Sequence, residues 1–161
     1  MTVSKSKHSN TRPKIGDLFE IRTASGSGYF QFVNRHHEFG ELIRVLPGVY
    51  DARFAQMDTL AGEKELYFVF FPVSAAMSRG LVEKIANFPI PLWAQGIPLL
   101  RRPGARGRDG KVLSWFIVSD DGEKLVKELT PNQRQLSLAV IWNDTLLAER
   151  IAANWRPSDE S

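Results

Sequence analysis

The 161-residue chain contains no cysteine. That absence excludes a disulfide framework, a thiolate metal centre and a cysteine nucleophile, and it makes a reducing cytoplasm the natural place of action. Long apolar runs are also missing. Nothing approaches the roughly 20 residues that span a bilayer, so no membrane is expected as a partner. Lys5 and Lys7 have no apolar segment behind them, which does not read as a secretory signal. Histidine is scarce, three in all, and two of these are the neighbours His36 and His37. No P-loop string occurs, and Gly104-Ala105-Arg106-Gly107 precedes a strand pattern where a dinucleotide fingerprint would precede a helix. Internal repeats are absent as well.

What remains has the composition of a globular protein, 43% apolar and 11% aromatic. Residues 15–157 read as one domain, between a basic tail (1–14) and a short end (158–161), both expected to be disordered. Leu18 to Arg22 and Tyr29 to Asn34 flank Ser25-Gly26-Ser27-Gly28, whose glycines suit a hairpin connection. Glu41 to Leu46 is a third strand, stopped by Pro47-Gly48. Leu66 to Val73 is apolar almost throughout, which predicts a strand buried on both sides, at the sheet centre. Leu81 to Ala86 and Val112 to Val118 follow, the latter between the turn signals Asp109-Gly110 and Asp120-Asp121-Gly122.

Helix is sparse until the end of the chain. Thr130-Pro131 with Gln133 predicts one or two turns. Asn143-Asp144 can cap a firmer helix, with Leu147, Ile151 and Trp155 as its inward stripe and Pro157 as its stop. The expected fold is therefore α+β: a mostly antiparallel bent sheet or partial barrel, closed by a C-terminal helix.

Several strings resemble the immunity protein 26 family, cytoplasmic antidotes to bacterial polymorphic toxins. They are Ile15-Gly16-Asp17-Leu18-Phe19, Phe71-Pro72-Val73, Asn87-Phe88-Pro89-Ile90-Pro91, and Ile141-Trp142-Asn143-Asp144 with Leu147, Glu149-Arg150-Ile151 and Trp155. They span most of residues 15–155 in a similar order. The resemblance implies an antiparallel, partly closed sheet with a C-terminal helix, and a non-catalytic role in binding and neutralising a toxin. Inhibitors of nucleases are usually acidic mimics of nucleic acid. An arginine-rich chain departs from that pattern and disfavours a nuclease target.

Charge supplies the candidate site. Residues 101–111 hold Arg101, Arg102, Arg106, Arg108 and Lys111 against Asp109 alone, a local +4 in a chain of net +3. Lys5, Lys7, Arg12 and Lys14 make the first 14 residues another +4. With both segments set aside, the other 136 residues carry −5. Glycine and proline spacers hold the arginines apart, and guanidinium forks recognise carboxylates and phosphates. A solvated hairpin tip is the plainer alternative. As a site, the loop points first to a cognate toxin with an acidic surface and second to nucleic acid. The acidic body would repel nucleic acid, and no aromatic residues interleave with the cations for base stacking. Trp93, in Pro91-Leu92-Trp93-Ala94-Gln95-Gly96-Ile97-Pro98 just before the loop, is either a lid or an exposed anchor for the same partner. Trp115, Trp142 and Trp155 read as core.

No catalytic group stands out. His36 and His37, as successive strand residues, should face opposite ways and fail to grip one metal. Ser27 lacks the first glycine of a nucleophile elbow and opens no helix. Asp120, Asp121 and Glu123 read as turn chemistry. No enzyme activity, metal or cofactor is expected.

Overall fold

The computed structural model describes residues 12–160. Most of the predicted tail, residues 1–11, lies outside the described residues, as does Ser161. Packing begins before Ile15, however. Pro13 is buried and its carbonyl accepts from Arg35 Nη2 at 3.1 Å, while the Lys14 N–H donates to Asp17 at 2.8 Å.

The first three runs build a meander: β1 (Asp17–Thr23), β2 (Gly26–His36) and β3 (Gly40–Val45). Of the two glycines in the first connection, only Gly26 supplies a positive φ, 133°. Gly28 serves packing: a Cβ there would lie 2.7 Å from Ile151 Cγ2. Two short helices that sequence patterning does not anticipate, α1 (Met57–Ala61) and α2 (Val73–Ser78), flank β4 (Tyr67–Phe70), and β5 (Val82–Asn87) follows. These strands form one antiparallel sheet in the order β4-β3-β2-β1-β5.

The second sheet contains β6 (Leu100–Pro103), β7 (Trp115–Ser119), β8 (Gly122–Val126) and β9 (Ser137–Leu138), ordered β8-β7-β6-β9 with only the β6–β9 pair parallel. The expected strand from Val112 starts later, at Trp115, and β8 is a strand the sequence reading did not separate from its turn. The chain is α+β, as the pattern predicts, with bent, mostly antiparallel sheets that do not close into a barrel.

β4 is not central; it sits at the edge of its sheet. It is nevertheless apolar because the segment after β9 covers its outer side. Phe70 N–H donates to Val140 O at 3.2 Å, Trp142 N–H to Phe70 O at 2.9 Å, and Phe68 N–H to Ser137 Oγ at 2.8 Å. One stretch, 137–142, thus pairs first with β6 and then with β4, and it bends one sheet onto the other.

Both faces of the five-stranded sheet are buried. One carries Phe19, Phe30, Phe32, Ile43 and Val69 against Trp115, Trp142, Leu147, Ile151 and Trp155. Removing a ring such as that of Phe30, wholly buried and stacked on Phe19 at 5.3 Å, would cost about 3–5 kcal/mol. The opposite face carries Leu18, Tyr29 and Leu46 under Met57 and Leu60 of α1.

The C-terminal helix α3 (Asp144–Ala152) starts as its capping chemistry predicts, with Asn143 Oδ1 accepting from Leu146 N–H at 2.8 Å. It stops earlier than Pro157. Asn154 takes a left-handed conformation, φ 55°, and the chain turns so that Trp155 packs between Tyr67 and Trp142. The turn expected after Thr130 is a single 3-10 turn, Gln133–Gln135, closed by reciprocal bonds between Thr130 and Gln133. Residues 157–159 form another 3-10 turn with Pro157 buried, so packed structure continues past the predicted end of the domain.

Candidate functional site

Arg101 and Arg102 belong to β6, and strand alternation sends them opposite ways. Arg101 goes inward and is wholly buried. Its guanidinium carbon lies 4.3 Å from the Trp115 ring centroid. It donates to the carbonyls of Leu136 (3.2 Å), Arg134 (3.2 Å), Pro157 (2.6 Å) and Glu160 (3.1 Å), and Nη1 has no partner among the described residues. Burial pushes its pKa down, with Glu160 opposing. The placement of Arg101 on a partner-binding loop is therefore corrected: it ties β6 to the end of the chain and cannot meet a partner.

Arg102 points outward into a bidentate pair with Glu123 of β8, Nε to Oε1 at 2.7 Å, and lies 4.2 Å over the Phe116 ring. Hydrogen bonding to Glu123 raises its pKa and lowers that of the carboxylate. This pairing makes Arg102 a clasp across β6, β7 and β8, and Glu123 more than a turn residue.

The remaining cations of the loop stay exposed. Arg106 bonds back to Gly110 O at 3.0 Å, and the arm is held by backbone bonds such as Leu113 N–H to Ala105 O at 2.7 Å. Arg108 and Lys111 make no ion pair among the described residues. Lys111 does not stand alone. It lines a groove of about 440 Å³ with Lys127, from just beyond β8, and Arg134, from the 3-10 turn. Val112, Trp115 and Leu129 form its apolar floor, while Glu128 and Glu160 add two carboxylates. Leu113 and Leu125 are exposed at 59% and 58%. Sequence reasoning missed Lys127 and Arg134, because only the fold brings three separate segments to one rim.

Trp93 is placed elsewhere, on a 3-10 turn (Leu92–Ala94) introduced by Pro91. It is half exposed, and its indole N–H donates to Glu65 Oε1 at 3.2 Å, with Lys64 Nζ 6.0 Å from the ring centroid. Its partners are these residues, not the arginines. Glu65 in turn faces Arg44, whose buried guanidinium bonds to Gln31 Oε1 at 2.7 Å and to the carbonyls of Glu63 and Ala61. Trp93 is thus a tethered lid over a buried polar network.

Compared with protein-family models, curated proteins and solved structures, the chain gives no match in any of the three.

The two histidines do not diverge as expected. Strand β2 ends at His36, and the turn lets His37 fold over it, with ring centroids 4.5 Å apart and nearly parallel. Ligand atoms of His36, His37 and Glu38 fall within 4.8 Å of one another. Yet His36 Nδ1 accepts from the backbone N–H groups of Glu38 (3.0 Å) and Phe39 (3.2 Å), which puts the ring proton of the neutral imidazole on Nε2. Two free donors, His37 and Glu38, are then left on a turn, against the three or four protein ligands of a zinc site. Ser27 is fully buried and its Oγ accepts from Arg22 Nη1 at 3.0 Å, an arginine being no general base. No helix among the described residues is long and apolar enough to cross a membrane.

Proposed function

We propose that this domain is a non-enzymatic binder of another protein, docking an acidic segment of that partner on the groove rimmed by Lys111, Lys127 and Arg134. The partner fitting the resemblance to immunity protein 26 is a bacterial toxin, neutralised in the cytoplasm by stoichiometric occlusion. One observation carries the proposal. Three cations from separate segments converge, without ion pairs among the described residues, over an apolar floor that contains Trp115. Exposed positive charge beside apolar surface suits an interface with an acidic partner, where guanidinium and ammonium groups also steer the encounter.

The family-like strings support the fold side of the proposal. Asn87 Nδ2 donates to Asp17 Oδ1 at 2.9 Å, and Phe88 N–H to Gly16 O at 3.0 Å, so two strings meet. The bridge between Phe70, the residue before Phe71-Pro72-Val73, and Ile141 brings the other two near each other. These are framework contacts, and they leave the binding face free to suit its partner.

Nucleic acid is the second reading, favoured by the exposed Arg106 and Arg108 on their glycine-spaced arm. Glu128 and Glu160 beside the groove weigh against it. Calorimetric titration against the product of any toxin gene found beside this one tests the first reading, with one-to-one binding as the expected outcome. Retarded migration of generic DNA or RNA at low salt, with affinity falling about a thousandfold between 50 and 200 mM salt, would favour the second.

A further inference from the structure

A second cavity lies between the start of β4 and the end of α3. Its volume is about 220 Å³, and its apolar wall is formed by Val45, Leu66, Tyr67 and Trp155. A dry cavity of about 150 Å³ takes a benzene ring, so this one has room for a single ring or a short alkyl chain carrying one polar group.

Two polar features make it more than a packing defect. The Tyr67 hydroxyl is buried and has no hydrogen-bond partner among the described residues, an omission that native interiors ordinarily avoid. Arg150 and Arg156 also line the cavity. The Arg150 guanidinium sits 4.8 Å over the Trp155 ring and 5.6 Å from that of Trp142, and its ion pair with Glu160 is long, 3.7 Å. Arg156 commits only Nη1, to Asn154 and to the Trp155 carbonyl, leaving Nε and Nη2 uncommitted among the described residues. Burial holds the Tyr67 pKa well above the ordinary phenol range, while Arg156 and Arg150 oppose it, so both guanidinium fields reach the hydroxyl.

We propose that this cavity binds a small monocarboxylic acid with an apolar body, its ring or chain against Val45, Leu66 and Trp155 and its carboxylate held by Arg156 and Arg150. The Tyr67 hydroxyl donates to the same carboxylate and gains the partner it lacks. An anion suits the cavity because two cations line it with no carboxylate among the lining residues, and Glu160 reaches Arg150 only at 3.7 Å. The apolar body is required because the rest of the lining cannot solvate a polar one. The site shares no lining residue with the cationic groove, although Arg150 of the one pairs with Glu160 of the other, and it needs no toxin.

The test uses the whole chain, sodium benzoate and sodium hexanoate as probes, and nitrogen–proton NMR spectra to locate their binding. Both acids should give saturable shifts centred on Leu66, Tyr67 and Trp155. Benzyl alcohol and acetate, each lacking one half of the ligand, should bind at least about tenfold more weakly, because a charge-assisted fork is roughly twice as strong as a neutral bond. Arg156→Gln should weaken benzoate about tenfold and leave benzyl alcohol unchanged, with Arg156→Lys intermediate; unaltered melting shows that each variant folds. Tyr67→Phe should weaken benzoate severalfold. The proposal is overturned by absence of saturation up to about 10 mM of either acid, by equal binding of benzoate and benzyl alcohol, or by shifts centred on Lys111 and Arg134.

Discussion

Arg101 lies face-on to Trp115, its guanidinium carbon 4.3 Å from the ring centroid, with Arg101 wholly buried and Trp115 keeping only 5% of its surface, at the groove floor. The contact joins neighbouring strands of the second sheet. With the four carbonyls that Arg101 also holds, it fastens residues 134–136 and 157–160 to β6. A charge that reads in sequence as part of a binding loop is a structural tie, and the cations left for binding are its neighbours.

Replacing Arg101 by Met, which keeps much of the side-chain volume, leaves four carbonyls without their donor. The expected loss is at least about 2 kcal/mol. Arg108→Met, at an exposed position, should stay within about 0.5 kcal/mol. Urea unfolding distinguishes them through the midpoint at constant slope. Equal midpoints would mean that Arg101 is not the tie described.

Why one cation of the loop could be misread and another not is a matter of range. The capping of α3 by Asn143, the hairpin around Gly26 and the inward Leu147 and Ile151 depend on residues a few positions apart and are legible; Trp155 is buried as read, but beyond the helix end, through the turn at Asn154 and not as part of the helical stripe. β4 looked central because its apolar run records burial on both sides. It cannot record that the covering segment lies some 70 residues later and pairs with it through Val140 and Trp142. The same limit hid Lys127 and Arg134, whose relation to Lys111 exists only after two sheets have met. Arg101 and Arg102 are adjacent arginines with one spelling and two fates, decided by which face of β6 the core took.

Acid sensitivity should trace in part to Glu20. Burial works to raise its pKa, but hydrogen bonds from Arg53 and Tyr29, with the field of Arg53, outweigh this and leave it lowered. A carboxylate whose folded pKa is depressed contributes stability above its unfolded pKa and loses it as pH falls through the folded value. Glu20→Gln should therefore be less stable than the parent at pH 7, and the gap should close below about pH 4, near and under the unfolded carboxylate value. Thermal midpoints measured across that range check this, and a constant gap would remove Glu20 from the account.

The seat of α3 on the sheet can be tested at Gly28. A methyl group there would stand 2.7 Å from Ile151 Cγ2, so Gly28→Ala should cost about 1–3 kcal/mol by overpacking. Ile151→Leu removes the branch that would clash. In that background the Gly28→Ala penalty should fall by half or more, a coupling that a double-mutant cycle reads directly. Additive penalties would place the strain in the β2 backbone and not at the helix contact.

The binding face is tested by reversing charges that the fold does not need. Lys111, Lys127 and Arg134 are joined by Arg108 as exposed cations without ion pairs among the described residues. Single changes to Glu should alter stability by less than about 0.5 kcal/mol, at Arg134 as well, since it is its backbone carbonyl and not its side chain that serves Arg101. Against the toxin partner proposed above, reversal at Lys111, Lys127 or Arg134 should each cost on the order of 1–3 kcal/mol, and the triple reversal should abolish protection of cells expressing it. Arg108→Glu should act mainly through the association rate, and its effect should fade as salt shortens the Debye length from about 10 Å at 0.1 M. Arg102→Glu is the contrasting case, since its loss breaks the pair with Glu123 and should lower stability before it lowers affinity. Full protection by the triple reversal, in a chain with an unchanged melting point, would show that the groove is not where the partner docks.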